Sequence, residues 1–284
     1  MSAQVAPVAR WRKIVFWLLM AVLLFLHAGE RPESLAWIVT AFGGFPDGAG
    51  ATHEIHWFTI SAFTWVMVAA ILINLRRPAS QVGAAWTYGL GTVLAFGLVL
   101  ALADLPPDIA PVLSAALVVA VLAFLAHPST LRAKTTPVER PSRTLAGLAA
   151  VAAVPLVVYG IGQLRIQLGS GMGDEHFEFG HWVVMGVYAL LAPLIGGVAA
   201  WKVSGWRFPL WASGLMVAAL GIASLGINAV SQLSTPWAVL AIVWGAAFIV
   251  AGEREARTVV RIPEARAKVR EPTAEEKPPE PAPS

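Results

Sequence analysis

The sequence predicts an all-α integral membrane protein of about eight transmembrane helices, arranged as two tandem four-helix repeats in parallel orientation. Three observations support this: an apolar composition, a series of long apolar runs, and a self-match at a fixed offset. Of the 284 residues, 57% are hydrophobic and only 13% are charged, whereas soluble domains carry about 25% charged residues. The mean hydropathy is +0.68. Such a chain cannot bury its apolar surface in one water-soluble core, so lipid is expected to cover much of it.

The apolar runs define the predicted spans. A helix needs about 20 residues to cross about 30 Å of hydrocarbon, and most of the runs reach that length. Only helices and closed barrels satisfy the backbone in lipid, and these runs lack the period-2 alternation of a barrel strand. The spans are therefore expected to be helices, with approximate limits 12–28, 55–75, 83–103, 109–127, 144–164, 181–201, 208–228 and 236–252.

An internal duplication relates the two halves of the chain. A shift of 125 residues, the separation of His56 from His181, superposes several rare residue types without a gap. Because tryptophan and histidine are infrequent, repeated matches at one offset indicate a duplication. Further matched pairs are Trp57 and Trp182, Trp86 and Trp211, Gly89 and Gly214, Leu90 and Leu215, Pro111 and Pro236, and Arg132 and Arg257.

The duplication divides the chain into four segments. The first repeat covers 1–132, a basic cytoplasmic linker covers 133–143, and the second repeat covers 144–257. The remaining segment, 258–284, is rich in Pro, Glu, Ala and Lys and is expected to be a disordered cytoplasmic tail. The first span resembles a signal peptide in its basic start, but its counterpart in the second repeat is internal. Retention of the first span is therefore expected.

Basic residues set the predicted orientation, because they cluster in alternate loops and at the C-terminal end of the last span. By the positive-inside rule, both termini of this multi-pass protein are expected to lie in the cytoplasm. The cell (plasma) membrane is its expected location. Four spans per repeat is an even number, so a pseudo-two-fold axis along the membrane normal should relate the halves. The basic residues that define this side are Arg76, Arg77, Arg132, Lys134, Arg140, Arg143, Lys202, Arg207, Arg254, Arg257 and Arg261.

Histidines are distributed unevenly in this topology. Of the six, only His127 falls on the cytoplasmic side. The chain has no cysteine, which excludes disulfides, iron–sulfur clusters and c-type haem attachment. The net charge of +3 comes from loops that act as topology signals, so nucleic acid is not an expected partner. The remaining five histidines fall at outer span ends or in outer loops: His27, His53, His56, His176 and His181.

Two pairs with helical spacing predict a metal site. His53 and His56 are three residues apart, as are Glu178 and His181, and the 125-residue shift superposes one pair on the other. Residues at i and i+3 share a helix face, so each pair could chelate one ion. The four residues, His53, His56, Glu178 and His181, are the predicted metal ligands. Three imidazoles and one carboxylate suit Zn, Fe, Mn or Cu.

Residues near the predicted ligands fill supporting roles in this prediction. His27, Glu30 and Glu175 are candidates for orienting the imidazoles. Glu54 or Glu175 would serve as a general base if the metal keeps an open position. A metal-dependent membrane enzyme is the function class that such a site would serve, although no sequence motif selects a reaction or a substrate.

The sequence also allows two alternative functions. His56 and His181 could be the axial ligands of one haem b between the halves, which would make the protein a membrane redox subunit. The protein could instead be a small-molecule or ion transporter with its substrate between the repeats. Transporters usually carry ionisable residues inside their spans, and these spans have none there.

Overall fold

A computed structural model provides the structure. It describes residues 10–28, 51–129, 131–169 and 175–270, with no account of the side chains of 51–53, 131–132, 175–176 and 259–270. Every regular element in these described ranges is helical. A one-turn 3-10 helix covers Pro78–Ser80. The α-helices are α1 (Arg10–Ala28), α2 (Ala51–Arg76), α3 (Val82–Leu102), α4 (Ile109–Ala126), α5 (Leu131–Thr135), α6 (Arg143–Gly169), α7 (Glu175–Glu178), α8 (His181–Trp201), α9 (Arg207–Gly226) and α10 (Thr235–Arg270).

Seven of the described helices are long and apolar enough to cross a membrane. They are α2, α3, α4, α6, α8, α9 and the Thr235–Thr258 part of α10. The prediction of an all-α, multi-pass membrane protein is therefore confirmed. Helix α1 is not among the seven; it has 19 residues and begins with Arg10, Arg12 and Lys13. The prediction of an eighth span stays a prediction.

Two helices extend beyond their predicted limits. Helix α2 begins at Ala51, four residues before the expected start, so the segment around His53 and His56 is already helical. Helix α10 continues to Arg270 and thus includes residues 258–270, which were expected to belong to the disordered tail. Residues 271–284 lie outside the described ranges. Charged residues can prolong a helix past the membrane, where hydropathy no longer marks its end.

Helix α8 lies at the centre of the bundle. It packs against α6, α9, α3 and α2, and 72% of its apolar stretch is buried, compared with 17% for the peripheral α4. Met185, Leu191 and Ile195 on α8 have no exposed surface. The helix is hydrophobic on all sides, as expected for one surrounded by other helices.

Buried Lys202 lies at the C-terminal end of α8. The basic loop residues lie at the same end of the bundle, which is its basic end. The Lys202 side chain is only 2% exposed. The Lys202 ammonium pairs with Glu255 at 2.9 Å and Glu139 at 3.4 Å, and it lies 3.8 Å from the ring centroid of Trp206. A buried charge is tolerated only when it is paired. Lys202 therefore joins the 131–142 segment, the α8–α9 turn and α10.

Two other basic side chains cap the C-terminal end of α4. Lys134 donates through Nζ to the carbonyl of Phe124, and Arg12 donates to the carbonyl of Leu125 at 2.8 Å. The last carbonyls of a helix have no partner within the helix and carry its negative dipole end, so basic side chains stabilise them. This capping ties α1 and α5 to α4.

Glycine allows α9 and α10 to approach closely. A Cβ added to Gly214 on α9 would lie 2.8 Å from the carbonyl oxygen of Gly245 on α10. Small residues at helix contacts are the usual means of close packing in lipid, where lipid tails compete with the contact. A Cβ added to Gly97 on α3 would meet no atom within 4 Å.

We predict that Gly214→Ala destabilises the protein and Gly97→Ala does not. Overpacking against backbone typically costs about 1–3 kcal/mol, whereas alanine in an open helix position is favourable by up to about 1 kcal/mol. Thermal unfolding of the two purified variants in one detergent measures the difference. Equal midpoints for the two variants would refute the close contact.

Candidate functional site

His56 and His181 lie side by side at the end of the bundle opposite Lys202. His56 is in the second turn of α2, and His181 is the first residue of α8. His56 has no exposed surface, and His181 is 6% exposed. The ring centroids are 5.8 Å apart, with an angle of 74° between the planes. The structure thus brings two of the four predicted metal ligands together in an apolar environment.

Each histidine also contacts the tryptophan that follows the other histidine. His56 lies 4.7 Å from the ring of Trp182 at an angle of 85°, and His181 lies 5.3 Å from the ring of Trp57 at 63°. Edge-to-face contacts of this kind favour a fixed orientation of both rings. Phe179 stacks on His181 with ring centroids 6.2 Å apart. The imidazoles are therefore held in position by aromatic rings.

A chain of hydrogen bonds fixes the tautomer of His56. Ser231, in the loop between α9 and α10, donates through Oγ to Oε1 of Gln163 at 3.1 Å. Ser231 Oγ can then only accept from Nε2 of His56, 2.8 Å away. His56 consequently carries its proton on Nε2 and a lone pair on Nδ1. Tyr159 on α6 donates to the carbonyl of Ser231 at 2.7 Å and fixes the loop.

Sequence patterns did not identify this supporting group. Gln163 was visible only as a polar residue near a span end, and Ser231 lies in a loop without any motif. Both side chains are buried, with exposures of 5% and 0%. A buried polar side chain costs free energy unless it is hydrogen-bonded. The one available signal was therefore a glutamine and a serine placed next to long apolar runs.

Glu178 and His181 do not share a continuous helix, contrary to the expectation from their spacing. Helix α7 ends at Glu178, and α8 begins only at His181. Gly180, between them, has φ +64°, in the left-handed region that interrupts a right-handed helix. The Glu178 side chain is exposed, whereas His181 is buried. The prediction that Glu178 and His181 share one helix face is thus wrong. The convergence of Glu178 on the two histidines stays a prediction.

The structure does not describe the side chain of His53, the fourth predicted ligand. His53 lies one helical turn before His56 on α2, but its side chain is outside the described residues. Within the described residues, no group of three or more His, Asp or Glu side chains is close enough together to hold a metal ion. Convergence of all four ligands therefore remains a prediction.

The residues predicted to support the ligands are only partly described. His27, at the end of α1, donates from Nδ1 to the carbonyl of Leu23 at 2.9 Å and stacks on Phe96 with centroids 5.6 Å apart. Glu30 and the side chains of Glu175 and His176 lie outside the described residues. The contacts of His27 hold α1 against α3.

His127 belongs to a separate network at the basic end of the bundle. The backbone N–H of Ser129 donates to Nδ1 of His127 at 3.2 Å, so Nε2 carries the proton and donates to Oδ1 of Asn74 at 3.1 Å. Asn74 in turn donates to the carbonyl of Ala70. Burial, followed by the positive charges of Lys134 and Arg12, lowers the pKa of His127 to about 3. His127 is therefore neutral and structural.

Comparison of the sequence with protein-family models and with curated proteins, and of the fold with solved structures, gives no match.

We predict that His127 makes the protein less stable in acid. Its pKa is about 3 in the folded protein, compared with 6.5 for an unperturbed histidine, so the unfolded chain binds more protons between these values. Stability should therefore fall as the pH drops below about 6.5, by about 2 kcal/mol at pH 5.

The measurement is the unfolding midpoint in detergent at pH 7.5 and pH 5. His127→Gln lacks the titrating ring, so its midpoint should fall less over this interval than that of the wild type. An equal fall in both proteins would show that other groups cause the acid sensitivity.

Proposed function

We propose that the protein holds one transition-metal ion at the outer end of its helical bundle, with His56 and His181 as the central ligands. His53 and Glu178 would complete the set. The observation that supports this proposal best is the burial of two imidazoles side by side where α2 and α8 begin, with ring centroids 5.8 Å apart. Zn, Fe, Mn or Cu suits such a set of ligands.

The state of His56 supports metal binding. An imidazole binds metal in its neutral form through the nitrogen that carries the lone pair. A metal-bound histidine usually donates its other N–H to an oxygen, which orients the ring and increases its basicity. Ser231 is that acceptor for Nε2 of His56, at 2.8 Å. Nδ1 of His56 would therefore be the ligand atom.

Burial of both rings also favours a shared ion. Two protonated imidazoles at this distance would repel each other in a medium of low dielectric constant, whereas one metal ion binds two neutral imidazoles. One divalent cation between them could accept a lone pair from each ring, with Trp57 and Trp182 beside the two imidazoles. With an open coordination position, the ion could activate a bound water, which is the basis for proposing a metal-dependent membrane enzyme.

We also propose that the bundle consists of two four-helix repeats related by a pseudo-two-fold axis along the membrane normal. Helices α1, α2, α3 and α4 would correspond to α6, α8, α9 and α10. The contact between α3 and α8 has its counterpart between α9 and α2, as this symmetry requires. At the basic end, Ser204 donates to the carbonyl of Ser80 at 2.9 Å, which joins the two equivalent loops.

Haem b is the second candidate for the same site. The closeness of the two imidazoles favours it, because a haem between helices needs an axial pair of imidazoles. Trp57 and Trp182, however, already contact the two rings edge to face. A macrocycle would have to displace these indoles, whereas a single ion would not. A transporter remains the third candidate and requires no bound metal.

We predict that the purified protein binds about one metal ion per chain and that His56→Ala and His181→Ala each lower this content. The double variant should lose it. Ser231→Ala should weaken affinity about 10–100-fold, the usual effect of removing a partner of a ligating histidine. Elemental analysis and an absorption spectrum of the detergent-purified protein provide the measurement.

His127→Ala is the matched control, because it removes a buried imidazole at the opposite end of the bundle. It should keep the metal content of the wild type. Metal-free wild-type protein, or equal metal loss in His127→Ala and His56→Ala, would contradict the metal site. A Soret band would instead support haem.

We predict eight spans with both termini in the cytoplasm of a plasma-membrane protein. Tags at the N-terminus and the C-terminus should then report the same side, and a tag near Gly171 should report the opposite side. Seven spans, with α1 outside the membrane, would place the two terminal tags on opposite sides. Protease or labelling accessibility in sealed membrane vesicles distinguishes these results.

A further inference from the structure

An open apolar groove of about 670 Å³ lies between α6 and α8, in the half of the bundle nearer the basic end. One wall consists of small side chains of α6, including Ala146 and Ala153, which follow helical spacing. The other wall is the face of α8 that carries Pro193, Gly197 and Trp201. The volume falls within the range of about 300–1,000 Å³ typical of ligand sites.

Small residues keep this groove open. An added Cβ at Gly197 would meet no atom within 4 Å, so the space beside this residue is unoccupied by protein. In a protein that spans a membrane, an apolar groove open to the side faces the hydrocarbon chains of the bilayer. Its walls therefore fit an acyl chain better than a polar ligand.

The end of the groove near the basic loops is polar. Ser142 and Arg143 line it at the first turn of α6. The Arg143 side chain is exposed and forms no ion pair with any described carboxylate. Glu139 and Glu255 both pair with buried Lys202, and Glu255 also accepts a hydrogen bond from Ser142 at 2.7 Å.

Arg143 is therefore the basic side chain that this end of the groove offers to a ligand. No described carboxylate neutralises Arg143, and the first turn of α6 adds the positive end of a helix dipole. Trp201 lines the same end and is 51% exposed, with its Nε1 donating to the carbonyl of Thr135 at 2.7 Å. Tryptophan at this depth is typical of the membrane interface. An arginine, an interfacial tryptophan and an apolar groove together match a lipid with an anionic headgroup.

We infer that this groove binds an anionic phospholipid from the leaflet at the basic end of the bundle. One acyl chain occupies the groove between α6 and α8. The phosphate lies at Arg143 and the first turn of α6, where the guanidinium donates charge-assisted hydrogen bonds to it. This inference is independent of the metal site, which lies at the other end of the bundle.

Native mass spectrometry in mild detergent tests the inference, with phosphatidylglycerol and phosphatidylcholine of identical acyl chains added at equal concentration. The wild type should retain phosphatidylglycerol in preference to phosphatidylcholine. Arg143→Gln should reduce that preference about fivefold, the change that about 1 kcal/mol per basic residue near an anionic surface produces.

Gly197→Leu should fill the groove and reduce retention of both lipids. Gly147→Leu is the matched control, since Gly147 is also a helical glycine where an added Cβ meets no atom within 4 Å, and it lies outside the groove. It should retain lipid as the wild type does. Size-exclusion profiles like that of the wild type establish that each variant is folded.

Three results would overturn the inference. Equal retention of the two lipids by the wild type would remove the headgroup selectivity. Unchanged retention in Gly197→Leu would place the lipid elsewhere. A dimeric mass that is lost in Gly197→Leu would assign the groove to a second copy of the chain.

Discussion

Burial of α8 is the constraint on which the rest of the structure depends. Helices α2, α3, α6 and α9 all pack against it, and its side chains from Val183 to Ala192 are almost all buried. The side chains at the two ends of α8 are buried as well. His181 stands at one end of α8, and Lys202 follows directly at the other. Both side chains are nearly inaccessible.

The buried side chains at the two ends of α8 have different kinds of neighbours. Lys202 is surrounded by Glu139, Glu255 and the ring of Trp206. Around His181 the neighbours are rings, namely those of His56, Trp57 and Phe179. Ion pairs satisfy the lysine end, whereas ring contacts surround His181 at the other end. This contrast separates the histidine end, for which we propose a metal site, from the lysine end, where the charges pair with one another.

Sequence reasoning predicted the features that depend on hydropathy and spacing. The limits of the α8 span agree with its helix, and the offset that matches His56 with His181 points to residues that lie in contact in the structure. Spacing could not predict that Gly180 would interrupt the helix between Glu178 and His181, because a left-handed residue depends on local backbone packing. A Cβ at Gly180 would lie 2.9 Å from Cβ of Ala103, a contact between segments distant in sequence.

The hydrogen-bond partner of His56 could not be predicted from the sequence either. Ser231 follows His56 by 175 positions, and only the folded bundle brings the two side chains to 2.8 Å. Hydropathy also does not mark the end of a helix that continues into charged residues. The extension of α10 to Arg270 was therefore not predicted. In both cases tertiary contacts or solvated charges determine the structure, and neither produces a periodic apolar pattern.

The pairing of Lys202 with Glu255 has a consequence for biosynthesis. Glu255 lies in α10, the last described helix, so the ribosome releases it well after Lys202. During insertion, Lys202 can pair with Glu139, which precedes it in the chain, but not yet with Glu255. The lysine therefore reaches its final buried position only when α10 has docked. Completion of the ion-pair cluster couples the insertion of α10 to the closing of the bundle around α8.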